Sequence, residues 1–202
     1  MMSLLRRSLL AALVLPALAQ AAANVDAPAP AFTAATADGR TVSLADFKGR
    51  TVVLEWTNHD CPYVRKHYGS GNMQGLQKAA ASQGVVWLQV ISSAPGQQGH
   101  VDGATALRLN TERGAAPTAT LLDPGGELGR LYGAQTTPHL FVVKGDGVLA
   151  YKGGIDSIAS SDKADIAKAE PYVSEALAAV AEGRKVEKAS TRPYGCSVKY
   201  GS

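Results

Sequence analysis

The chain has 202 residues, 46% of them hydrophobic and 18% charged, with a net charge of +3. That is enough for one domain with a sizeable core. The basic residues are scattered rather than clustered, which leaves no electrostatic footprint for nucleic acid. Two cysteines, Cys61 and Cys196, exclude a disulfide-rich scaffold.

The first segment has the layout of a targeting peptide. Arg6 and Arg7 are followed by a short apolar run, Leu9 to Leu15, and then by small residues with cleavage expected after Ala17-Leu18-Ala19 or Ala21-Ala22-Ala23. The apolar run is too short to span a bilayer in the mature protein. Residues 1–23 are therefore read as a signal peptide, with an uncleaved anchor and a twin-arginine signal as alternatives. The mature chain is expected in the periplasm or secreted, without stable membrane association, where a disulfide persists.

Residues 24–31 are a Pro/Ala linker. Phe32 to Phe47 carries short apolar pieces around Asp38-Gly39, a hairpin signal. Residues 51–56 (Thr-Val-Val-Leu-Glu-Trp) read as a buried strand. The polar turn Thr57-Asn58-His59-Asp60 leads to Cys61-Pro62 and a helix, since proline suits the first helical turn. Glycines 69, 71 and 75 predict a break, with helix resuming from Leu76 to Ser82. A nearly all-apolar strand, Val85 to Ile91, follows, then a loop over 92–100 and a helix from Val101 to Arg113. Thr118 to Leu122 reads as a strand, Glu127 to Tyr132 as a short helix, and Leu140–Lys144 and Val148–Lys152 as a hairpin about Gly145-Asp146-Gly147. Residues 156–169 read as a surface loop. Pro171 to Glu182 is an amphipathic helix stopped by Gly183. Residues 184–202 are a basic tail without periodicity, carrying Cys196. The alternation of strands and helices predicts an α/β domain over 24–183: a mixed central sheet with helices on both faces and an N-terminal β-hairpin.

Cys61 falls at the end of a strand and the mouth of a helix. Free N–H groups and the helix dipole favour a thiolate there, so Cys61 is a candidate nucleophile. Arg65, Lys66 and His59 are placed to favour the thiolate and Asp60 to oppose it; an inert buried cysteine is the alternative. Cys196, 135 residues further on, has three readings. It is a resolving thiol that captures an oxidised Cys61, half of a structural disulfide worth ~4–5 kcal/mol in the chain-entropy account, or a free thiol far from Cys61. His59, His67 and His139 are candidates for a base or, with Cys61, for a soft-metal site, although their spacing matches no metal signature.

The element order and these residues resemble the thioredoxin fold in its redoxin branch, the alkyl hydroperoxide reductase and thiol-specific antioxidant group. Phe32, Asp38-Gly39, Val42-Ser43-Leu44 and Phe47-Lys48-Gly49 resemble its N-terminal hairpin. Residues 52–56 resemble its strand before the active site, and Cys61-Pro62 its first cysteine. The resemblance implies a cis peptide at Thr137-Pro138, facing the cysteine, with the Thr137 backbone hydrogen-bonding a bound sulfur partner. It departs from thioredoxins at Val64, where their second cysteine would stand, and from typical peroxiredoxins at Asn58, where a Thr or Ser would hold peroxide; Thr57 is one residue further back. The implied function is a thiol-dependent oxidoreductase or antioxidant without an organic cofactor. Its implied partners are a peroxide or a protein or small-molecule disulfide, and an external thiol reductant. Two alternatives are a non-catalytic copper-binding or delivery protein and a structural module whose disulfide is never turned over.

Overall fold

The computed structural model describes residues 23–201; the predicted signal peptide lies outside them, apart from Ala23. Seven strands form the main sheet: β1 (Thr33–Thr36), β2 (Thr41–Ser43), β3 (Val52–Trp56), β4 (Val86–Ile91), β5 (Ala119–Leu122), β7 (His139–Val143) and β8 (Leu149–Gly153). Their order is β2-β1-β5-β4-β3-β7-β8. Strands β3, β4 and β5 run parallel and every other pair is antiparallel, so the sheet is mixed. A second, two-stranded sheet pairs β6 (Thr136–Thr137) with β9 (Cys196–Ser197).

All five side chains of β3, and all six of β4, are buried, Glu55 and Gln89 included, which explains their nearly all-apolar sequences: both faces of the sheet are covered. Val53, Trp87, Leu140 and Val142 point to one face. There they meet Val64 and Tyr68 of α1 (Pro62–Gly69), Met73 and Ala80 of α2 (Asn72–Ser82), and Val173 and Ala176 of α5 (Tyr172–Ala181). Leu54, Trp56, Leu88 and Phe141 point to the other, where Leu128 and Tyr132 of α4 (Glu127–Tyr132) and Phe32 cover them. Helix α3 (Gly103–Glu112) is capped by the Asp102 carboxylate, which accepts the Thr105 N–H at 2.8 Å.

Three local expectations shift. The break after α1 is shorter than the glycines predict. Gly71 alone makes it, at φ +78°, and α2 restarts at Asn72 with Gly75 inside the helix. The 156–169 segment contains a 3-10 turn at Lys163–Lys168. The tail, which shows no periodicity, folds back across the domain: Thr191 donates to the Lys152 carbonyl at 3.1 Å, Val198 to Gln135 at 3.0 Å, and Ala94 to Lys199 at 2.8 Å. No helix among the described residues is long and apolar enough to cross a membrane.

Candidate functional site

Strand β3 delivers the chain into the turn 57–60, and Asn58 shapes that turn. Its side-chain oxygen accepts the Asp60 N–H at 2.9 Å, and its side-chain nitrogen donates to the Gln98 carbonyl at 3.2 Å. Its backbone carbonyl accepts the Cys61 N–H at 3.0 Å. The chain then enters α1 with Cys61 as N-cap and Pro62 inside the first turn. Thr57 is buried and its hydroxyl has no hydrogen-bond partner. Neither the Asn58 amide nor the Thr57 hydroxyl hydrogen-bonds the Cys61 sulfur.

The Cys61 side chain is fully buried. The peptide bond Thr137-Pro138 is cis, and the Thr137 carbonyl stands 3.0 Å from the Cys61 sulfur, accepting from its thiol. The Cys196 N–H points at the same sulfur, 3.4 Å away. Both cysteines are free thiols. The structure thus brings Cys61, Thr137, Pro138 and Cys196 together, while Asn58 and Thr57 stand in the approach to the helix.

The two thiols are held differently. Burial pushes the Cys61 thiol up, but hydrogen bonding from Cys196 first, and then from the neighbouring backbone, outweighs this. The net shift is downward. Cys196 is pushed up to about 11, by burial and then by its thiol's hydrogen bond to the Cys61 sulfur. Cys61 is therefore the group that ionises first, and Cys196 the donor that favours its ionisation.

The cations expected to assist are occupied. Arg65 donates to the Asp60 carboxylate at 2.7 Å and to the His59 carbonyl at 3.0 Å. Lys66, with a fully buried side chain, lies 3.6 Å from Asp156 and donates to the Ile158 carbonyl at 3.3 Å. His67 sits between Asn72 and Tyr194, at 2.9 and 3.2 Å. Burial, reinforced by the Lys66 charge and only partly opposed by Asp156, lowers its pKa to about 4. Burial and then the Lys152 charge lower His139 to about 3. Both rings are neutral at ordinary pH. Among the described residues, no group of three or more His, Cys, Asp or Glu side chains could hold a metal ion.

Sequence reasoning missed Asp156 and Tyr194. The Tyr194 hydroxyl donates to Asp156 at 2.5 Å, and its ring packs edge-on against Tyr63 with centroids 5.8 Å apart. This cluster ties the tail to α1 two residues before Cys196. The one available signal was Gly195, between Tyr194 and Cys196. A cavity of about 720 Å³ flanks α1, lined by His59, Pro62, Arg65, Arg113 and Lys163 among others, but Cys61 does not line it.

A family model described as the AhpC/TSA family matches residues 25–152. No curated protein matches the sequence significantly. Among solved structures, an uncharacterised conserved protein from Geobacillus kaustophilus superposes with a TM-score of 0.74 at 23% identity, covering 89% of this chain and 93% of its own. A hypothetical protein from Sinorhizobium meliloti gives 0.71 at 21%, covering 89% and 96%. A putative thiol:disulfide interchange protein from Chlorobium tepidum gives 0.52 at 22%, covering 64% and 84%. At these identities the likeness is one of fold, and that fold is thioredoxin-like.

Proposed function

The chain belongs to the AhpC/TSA family, and we propose on that premise that it is an exported thiol-dependent oxidoreductase, with Cys61 as nucleophile and Cys196 as resolving thiol. The observation that carries this reading is the Cys61 sulfur at a helix N-cap, hydrogen-bonded by the amide of a second cysteine 135 residues away. Two cysteines brought together by the Cys196 N–H at the Cys61 sulfur, one favoured as thiolate and the other pushed up to about 11, form an asymmetric redox pair.

In the favoured reaction the Cys61 thiolate attacks one sulfur of a disulfide. A Cys61–substrate bond forms, the substrate S–S bond breaks, and the leaving sulfur departs as a thiolate. Cys196, losing its proton, then attacks the Cys61 sulfur. That closes Cys61–Cys196 and releases the second substrate thiolate. The substrate gains two electrons and the pair loses them; an external thiol returns the pair to its reduced form. A peroxide fits the same pair: Cys61 takes an oxygen, an alcohol or water leaves, and Cys196 condenses with the sulfenic acid as water is lost. Disulfide is favoured because the Asn58 side chain is engaged by the turn, and because the cis Thr137-Pro138 loop faces the sulfur. Export rests on the leader-like residues 1–23, and the oxidising compartment it implies suits a cycling disulfide.

The test is turnover of a disulfide substrate, and separately of a peroxide, with a small thiol as reductant. Cys61→Ser is expected to abolish both; Cys196→Ser is expected to leave the substrate trapped on Cys61 as a mixed disulfide. Unchanged turnover in Cys61→Ser would sink the reading.

A further inference from the structure

The tail does more than bring Cys196 to the site: it closes it. Strand β9 runs antiparallel to β6, with Cys196 opposite Thr137 and Ser197 opposite Thr136. This is the position from which an extended chain would present a sulfur to Cys61. Gly195 permits the approach. Its φ is +134°, and a Cβ there would run into the Thr137 carbonyl. With β9 in place the Cys61 side chain has no exposure at all.

The contacts that hold this segment are mostly polar. From residue 187 to residue 201 no residue is fully buried, and only Ala189, Tyr194, Cys196 and Val198 pack, half-buried, against the core. Besides the β6 pairing and the backbone bonds to Gln135 and Ala94, two side-chain clasps hold it. Upstream of Cys196 the Tyr194 hydroxyl donates to Asp156, which lies near Lys66 and His67. One Asp156 oxygen has no hydrogen-bond partner. Downstream, Tyr200 lies over Gly126 and Gly129 of α4 and under the Arg130 guanidinium, 4.8 Å from its ring centroid, and its hydroxyl donates to the Ala134 carbonyl at 2.8 Å. A cavity of about 480 Å³ opens beside the upstream clasp, lined by Thr136, Asp156, Thr191, Tyr194 and Gly195 among others.

We propose that residues 194–200 form a displaceable strap standing in the place of an extended, disulfide-bearing polypeptide, so that such a substrate pairs with Thr136–Thr137 only after the strap leaves. The substrate half of this rests on the exchange reading given above; the strap half does not. The strap opens to admit the substrate disulfide to Cys61 and returns with Cys196 to release it. The occupant is a polypeptide because the exposed edge offers backbone pairing on β6, which a small peroxide does not use.

The experiment uses the full chain and two variants that loosen one clasp each, Tyr194→Phe and Tyr200→Phe. It reads the rate at which a small alkylating reagent labels Cys61, the unfolding midpoint, and, in a Cys196→Ser background, the rate at which a disulfide-bearing peptide is trapped on Cys61. Losing a hydrogen bond to a charged group corresponds to roughly tenfold or more in the opening equilibrium. Tyr194→Phe is expected to speed labelling about tenfold, and Tyr200→Phe by less, with the unfolding midpoint little changed and peptide trapping accelerated in step. Labelling unchanged in both variants, or rising only with global unfolding, overturns the strap. Faster labelling with unaltered peptide trapping overturns its standing in the substrate's place. Faster labelling with no trapping in any protein upholds the strap and removes the exchange chemistry beneath it.

Discussion

A thiol at a helix mouth is a place where charge is welcome, and Cys61 occupies one with the Cys196 N–H directed at its sulfur. Its position was legible because a buried strand, a polar turn and Cys-Pro in that order leave few other arrangements. The source of its activation was not legible. Arg65 and Lys66 are near in sequence, yet each is paired with its own carboxylate, Asp60 and Asp156, and the donors that matter come from the tail. The consequence is specific. An acid whose folded pKa is lowered keeps its charged form to lower pH, so the thiolate absorbance of Cys61 should appear below the ordinary value of 9.0. Cys196→Ala removes the strongest of these donors and should move that midpoint up; Cys196→Ser keeps a donor and should restore most of the shift. An ultraviolet titration of each protein, with Cys61→Ser as the blank, reads this directly. A midpoint unmoved by Cys196→Ala would show that the tail does not activate the thiol.

The elements followed from patterns that report burial. Strands β3 and β4 were readable from nearly all-apolar runs, and α5 from its helical stripe, because each pattern records which faces are covered. The two-residue strands β6 and β9 carry no such record. Their pairing is made of backbone hydrogen bonds between positions 59 or more residues apart, and nothing in side-chain periodicity encodes it. The turn before Cys61 is a similar case: it is held by Asn58 reaching across to the 92–100 loop, where Gly99 sits at φ +85°. A Cβ at Gly99 would collide with the Asn58 side-chain amide. Gly99→Ala is therefore expected to destabilise the fold by more than ~1 kcal/mol, through backbone strain and displacement of Asn58, and to slow Cys61 chemistry. Thermal unfolding and turnover check it together. A variant of unchanged stability would contradict this account of the turn.

At the scale of the whole molecule, a thioredoxin-like sheet supplies the rigid frame and the returning tail completes the site. The frame was legible because alternating strands and helices admit few topologies. The closure was not, because it joins Cys61 to Cys196 through contacts that are polar and distant in sequence. The account stands or falls on whether that closure is a redox pair. The direct measurement equilibrates the protein across a series of thiol–disulfide buffers and maps Cys61 and Cys196 by thiol labelling and mass. The account predicts one Cys61–Cys196 disulfide that forms and reverses at a potential above about −300 mV, as labile pairs do. A bond that resists reduction well below that potential, or two thiols that stay free under oxidising conditions, would contradict it.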